Sequence, residues 1–259
     1  MRDTNIRQEI AMSSRTPSKR RLYPSAFDSD FYMLSSLRKS LERAIVRYVD
    51  KGSLIFDYGC GDAPYRTLFQ HSKYIAGDLM GNPQADIIIA PDGRVPYEDG
   101  KFDVILSSQV LEHVPYVENY LTEAYRLLKV EGFLILSTHG WWTHHPCPQD
   151  FWRWTREGLV RILRQNGFNI IDSNWLIGML AYSYQLRVQC WKGVQEQRNV
   201  PAKIIFRLIS ACYQQLMRFA DGITPDHIGR DKAPIYFIVA QKCKPSGVSC
   251  CQDNLNFKY

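Results

Sequence analysis

Asp57-Tyr-Gly-Cys-Gly61 places a carboxylate just ahead of two glycines, at the end of the apolar run from Leu54 to Phe56. In an open parallel sheet, ligands bind beyond the carboxyl ends of the strands. Glycines there let the backbone turn sharply and approach a ligand with no side chain between. Gly-x-Gly alone is a weak signal, and the dinucleotide fingerprint wants a third small residue where Pro64 stands, which speaks against a nicotinamide or flavin dinucleotide. Asp78 follows 21 residues after Asp57, at the end of a second strand-like run, where an acid can accept hydrogen bonds from both hydroxyls of a ribose. Asp92, in Pro91-Asp-Gly-Arg-Val-Pro96, follows a third run, where a carboxylate can accept from an adenine amino group. Either aspartate alone is equally well explained as turn chemistry. Their order and spacing relative to the glycine turn favour a nucleoside-bearing ligand.

A second concentration of chemistry lies in residues 138–155, which hold three histidines, four tryptophans, Asp150 and Arg153. Aromatic rings with His and Asp suit a planar or sugar-like acceptor, and histidine titrates near neutral pH. His144 and His145 are the candidate bases, with Asp150 as the group that orients one of them. The competing reading is structural, because tryptophans pack and an Asp–Arg pair can merely fix a loop. These histidines and Cys147 fit no standard zinc spacing, so no metal is expected.

The elements that must position these residues alternate. Residues 26–50 read as a helix through Leu34, Leu37, Leu41, Ile45 and Val46. Strands are expected at 53–57, 74–78, 85–90, 102–107 and 133–137, with a helical turn at 65–70 and a helix from Val117 to Leu128. Thr155 can cap a helix that runs to Gly167, and two further strands fit 169–175 and 234–241. The alternation implies an α/β fold with a mostly parallel sheet covered on both faces. The last two strands are separated by about 58 residues, too many for a loop. Helical patterns near 178–196 and 201–221 make 178–229 a helical insertion over the sheet's carboxyl edge, which reads as a lid that stabilises the core, as an acceptor-binding cap, or as a dimer or membrane-surface contact. The second pattern gathers Ile204, Ile205, Leu208, Ile209, Cys212, Leu216 and Phe219 on one side.

Hydrophobic residues at 45% and charged residues at 22% of 259 describe one ordinary globular α/β domain, expected over residues 23–243. No apolar run reaches the ~18 to 20 residues of a membrane span, and the first residues lack a signal peptide's apolar stretch. The seven cysteines form no CxxC pair and read as free thiols of a cytoplasmic protein. Of the net charge of +6, much falls in residues 1–22, which read as a disordered basic tail; 244–259 reads as a flexible one.

The series Asp57-x-Gly-x-Gly, Asp78, Asp92, Val95-Pro-Tyr97, Phe102-Asp-Val-Ile, Gln109-Val-Leu-Glu-His113, Leu127-Leu-Lys129 and Gly132 resembles the small-molecule class I methyltransferases, in unbroken order over residues 53–138. The resemblance implies a Rossmann-like sheet of seven strands, the last antiparallel, and S-adenosylmethionine as cofactor. It puts Asp57, Gly59, Cys60 and Gly61 at the methionine end, Asp78 and Leu79 at the ribose, and Asp92 and Gly93 at the adenine. Ser108 and Gln109 form the floor, and His113 caps the pocket. Ala63 and Lys129-Val-Glu-Gly132 depart from the usual glycines of the family, at places that do not disturb these roles. His145-Pro-x-Pro-x-Asp150-Phe-x-Arg153 resembles a bacterial subset associated with glycan and natural-product pathways. The expected reaction is methyl transfer to a small molecule, at an oxygen of a sugar or natural-product-like acceptor. The basic tail leaves room for a nucleic-acid or protein substrate or a non-catalytic binder, but the Asn/Asp-Pro-Pro-Tyr/Phe tetrapeptide of many base methylases is absent, which speaks against nucleic acid.

Overall fold

The computed structural model describes residues 16–195 and 200–244. Seven strands form one sheet in the order β3-β2-β1-β4-β5-β7-β6. The strands β1 (Leu54–Tyr58), β2 (Lys73–Asp78), β3 (Ile87–Ile88), β4 (Phe102–Ser108) and β5 (Leu128–His139) run parallel. The last strand, β7 (Ile235–Lys242), is antiparallel to both β5 and β6 (Phe168–Ile177). The reversal of order between β1 and β4 opens a crevice at their carboxyl ends, and both strands end there in the residues singled out by sequence.

Alternation along the strands divides the core into two layers. Ile55, Val104, Leu106, Ile135, Phe237 and Val239 face α2 (Phe31–Tyr48), through Leu34, Leu37 and Leu41. Phe56, Ile105, Leu134, Leu136 and Ile238 face α3 (Val117–Leu127) and α4 (Arg156–Gln165), through Leu121, Leu127, Leu159 and Leu163. Thr155 caps α4 by accepting the Gly158 amide, as its sequence position suggested. Only two residues of the expected third strand pair with β2. The helical turn at 65–70 is a 3-10 turn, Arg66–Phe69.

Two expectations are corrected. Residues 16–22 are not a solvated tail: Pro17–Leu22 form helix α1, capped by Thr16, with Leu22 only 3% exposed. Arg20 pairs with Asp30 at 2.6 Å, so an acid outside the basic run takes up one of its charges. Residues 1–15 of that expected tail, and 245–259 of the other, lie outside the described residues.

The second correction concerns the insertion, which folds as α5 (Met179–Gln195), α6 (Val200–Ile223) and the short α7 (Asp226–Asp231). The apolar side of α6 faces outward: Ile204, Leu208 and Phe219 are 56%, 53% and 68% exposed. Its buried side carries Ser210, Gln214, Met217, Ala220 and Asp221. The Gln185 and Gln214 amides donate to the Ser29 carbonyl, and the Tyr32 hydroxyl donates to Asp221 at 2.8 Å. Polar anchors to the start of α2, with Ala181, Val188, Met217 and Ala220 packed into the core beside them, seat the insertion.

Candidate active site

A cavity of about 510 Å³ opens at the carboxyl ends of β1, β2 and β4, within the size of ordinary ligand pockets. Asp57, Gly59, Cys60 and Gly61 line one end of it. Gly59 adopts φ +95°, and a Cβ there would meet the Val110 side chain at 2.8 Å. Gly61 also has positive φ, but a Cβ there would meet no atom within 4 Å. The wall at Gly61 therefore leaves room that a side chain would fill.

The two acids of this end differ in their surroundings. Asp57 is 2% exposed and accepts from the Tyr74 hydroxyl. Burial pushes its carboxyl up to about 7, against the pull of that hydrogen bond. Asp78 accepts from the Gly61 amide at 2.8 Å and the Leu79 amide at 2.7 Å, so the glycine turn and the end of β2 aim it together. The Asn82 side chain donates to the same carboxylate at 2.6 Å, a partner that sequence reading missed. Burial pushes the Cys60 thiol up to about 12, which keeps it a neutral wall.

The opposite end is apolar and turn-built. Leu79 and Ile89 line it beside Asp92 and Gly93. Asp92 accepts from the Arg94 amide at 3.1 Å, and Gly93 is fixed by the Tyr58 hydroxyl, whose ring stacks on Tyr120 at 4.0 Å. The floor is Ser108 and Gln109; Gln109 holds φ +56° while its amide donates to the Ser137 carbonyl.

Arg21 is the residue that sequence reading placed elsewhere. From α1 its guanidinium donates to Gln109 Oε1 at 2.8 Å and to the Tyr65 hydroxyl at 3.2 Å, and it lines the cavity. A signal existed in its capped, Pro-initiated helix start, Thr16-Pro17. Overall, this end offers a cation and a carboxylate, the pair an amino-acid moiety needs, and the other offers an apolar slot. S-adenosylmethionine fits that donor set and the room at Gly61.

The histidine loop divides. His145 and His113 line the cavity with their rings edge to face at 5.0 Å. His139, at the end of β5, is buried against His145 and stacks on Trp142. Burial, and then the neighbouring imidazoles, push His139 and His145 below the usual histidine range, so His145 is neutral at neutral pH. His139 Nδ1 lies 3.3 Å from Glu112 Oε1, and burial pushes that carboxyl up. The other oxygen, Oε2, accepts from Thr138. Glu112, His113 and His145 each bring one potential ligand atom within 4.8 Å of the others.

His144 and Asp150, by contrast, do not line the cavity. The His144 side chain is 74% exposed, with Nδ1 3.3 Å from Asp150. Asp150 grips Arg153 through both oxygens, and the Arg153 guanidinium holds its carboxyl well below the usual range. Asp150 meets His145 only at its backbone amide, at 2.8 Å. Arg153 also donates to the Trp142 and Thr143 carbonyls, so this pair shapes the loop that carries His145. Among the described residues, none of 178–229 lines the cavity; the insertion reaches the loop through Tyr182, which accepts the Thr143 amide.

A family model described as a methyltransferase domain matches residues 56–136. No curated protein matches the chain. Among solved structures, the cyclase SpnF superposes with a TM-score of 0.56 at 17% identity, covering 93% of each chain. A putative sarcosine dimethylglycine methyltransferase from Galdieria sulphuraria gives 0.54 at 13% identity, over 92% of this chain and 97% of that one. The Burkholderia thailandensis 1,6-didemethyltoxoflavin-N1-methyltransferase, solved with S-adenosylhomocysteine, gives 0.52 at 13%, over 81% and 79%. At these identities the likeness is one of fold. The matched methyltransferase domain spans residues 56–136 and lies in a seven-stranded sheet whose last strand is antiparallel, as the resemblance implied.

Proposed function

We propose that the chain methylates an oxygen of a small, sugar-like or natural-product-like acceptor, and that His145 takes the acceptor's proton. One observation carries this reading: a neutral imidazole lines the same cavity as the glycine turn. S-adenosylmethionine supplies the methyl group on a sulfonium that is already a good leaving group. The protein's part is alignment and exclusion of water. Arg21 and Asp57 would face the carboxylate and ammonium of the methionine end, Asp78 the ribose, and Asp92 with Gly93 the adenine. Ser108 and Gln109 form the floor, and Cys60 and Leu79 fill the walls. A hydroxyl has a pKa far above neutrality, so a base must remove its proton as the methyl arrives. His113 stands beside His145 and caps the acceptor side. Asp150 serves by holding the backbone of His145, and His144 serves only through Asp150.

A second reading has its own observation. Glu112, His113 and His145 form a two-histidine, one-carboxylate set, and Glu112 Oε1 is a buried oxygen with no hydrogen-bond partner. The His113 Nδ1 pairs with the Gln149 carbonyl, which leaves Nε2 free. A divalent ion held there would lower the pKa of a bound hydroxyl in place of a base.

The test is a screen of hydroxylated sugars and phenols with the purified protein, reading release of S-adenosylhomocysteine. On the acceptor found, His145→Ala should lower kcat by about a hundredfold to ten-thousandfold, with cofactor affinity kept. Turnover at the wild-type rate would remove the base. Loss of activity on chelation, restored by a divalent ion, would favour the second reading.

A further inference from the structure

The outer face of the insertion has no part in the site described above. Helices α5 and α6 run antiparallel, with Trp191 against Phe206 at 5.3 Å near one end and Gly178 donating to Asp221 near the other. Their inner side is already partnered by α2 and Ser29. Outside, Ile204, Leu208, Phe219 and Ile223 are 56%, 53%, 68% and 59% exposed, and Trp191 and Val194 of α5 add 47% and 45%. Single exposed aliphatic residues are ordinary, but a stripe along a helix of 24 residues marks a contact surface.

The charges around the stripe say what kind of contact. The two helices carry Arg187, Lys192, Lys203, Arg207 and Arg218, all exposed. Their one acid, Asp221, is buried and held by Tyr32 and Gly178. By the helical period, Lys203, Arg207 and Arg218 line up along one border of the stripe.

We propose that this outer face of α6 seats the protein on an anionic lipid surface, with the helix lying in the plane of the interface. Such a helix needs an apolar face for the acyl boundary and cations beside it for the headgroups. Trp191 at the rim suits that boundary, where amphipathic rings concentrate. Among the described residues no helix is long and apolar enough to cross a membrane, so α6 lies on the surface. A second copy of the chain fits less well, because closing the two faces together would bring the cations of each hairpin towards those of the other.

The experiment is co-sedimentation of the full chain with vesicles of phosphatidylcholine alone and of phosphatidylcholine mixed with phosphatidylglycerol. The wild-type protein should pellet with the mixed vesicles, less so as salt is raised. Arg207→Gln and Arg218→Gln should each weaken partitioning about fivefold. A Leu208→Ser, Phe219→Ser double variant should stay in the supernatant. Both residues are solvent-facing, so its melting temperature and affinity for S-adenosylhomocysteine should match the wild type. The proposal is overturned if the wild type ignores anionic vesicles, or if the folded double variant pellets as well as the wild type. It is equally overturned if the protein elutes as a dimer that Leu208→Ser makes monomeric.

Discussion

Replacing Arg21 by methionine keeps an apolar stem of similar reach and removes the guanidinium. That group donates to Gln109 Oε1 at 2.8 Å and to the Tyr65 hydroxyl at 3.2 Å, and all three residues line the cavity. If the guanidinium also holds the carboxylate of the methionine end, the variant loses one hydrogen bond between charged groups, about 1.5 to 3 kcal/mol. At ~1.4 kcal/mol per factor of ten, this is about 10- to 150-fold in Kd. The assay compares two ligands by calorimetry: S-adenosylhomocysteine, which has the amino-acid end, and 5′-methylthioadenosine, which lacks it. The loss should appear with the first ligand alone. Equal weakening of both would mean that Arg21 only docks α1 on the cavity wall. An unchanged Kd for S-adenosylhomocysteine in a folded variant would remove Arg21 from the site.

Other outcomes follow from the same geometry. Asp78→Ala should weaken both ligands by about 1.5 to 3 kcal/mol, since both carry the ribose; unchanged calorimetric affinity would remove the ribose assignment. Gly59→Val should abolish binding and lower the melting temperature. The structure gives a different first cause from intrusion on the ligand: positive φ and the contact with Val110 at 2.8 Å. The Asp57 carboxyl, at about 7, is about half protonated at pH 7. A ligand ammonium beside it favours the ionised form, so binding should release up to about half a proton; calorimetry in buffers of different ionisation enthalpy reads this, and Asp57→Asn should abolish it. His145 acts only when deprotonated, and its folded value lies below the usual 6.5, so kcat should hold on lowering the pH to 6.5 and fall beneath it. A limb well above 6.5 would assign the proton to another group.

The cofactor half of the cavity was legible because it is written locally. Strand ends, a glycine turn and an acid at a fixed distance put Asp57, Gly61 and Asp78 together through the parallel pairing of β1 with β2, which sets Asp57 beside Ala76. Hydrophobic period and turn residues fixed most of the elements that carry them. What escaped was long-range pairing. Arg21 meets Gln109 across 88 residues, so its basic run read as a tail. Among the three histidines at the end of β5 and in the loop after it, nothing in the order of residues says which ring turns inward. That depends on Arg153, which reaches back to Trp142 and Thr143 while holding Asp150.

The insertion shows a sharper limit of periodicity. The 3.6-residue period correctly separates two sides of α6, yet it does not say which side the protein covers. The usual inference assigns the apolar side to the core, because burial of apolar surface drives folding. Here hydrogen bonds decide it, together with Met217 and Ala220, which pack into the core on the same side. Gln214 accepts the Tyr32 amide at 2.8 Å and donates to Ser29, so turning α6 about its axis would strand Gln214, Asp221 and the start of α2 without partners. Stranding even one buried polar group costs about 1 to 3 kcal/mol. An exposed Leu or Phe is a smaller liability where another apolar phase can take it up. A helix with polar anchors inside and an apolar, cation-bordered face outside is consistent with a protein that completes its burial against a surface other than its own.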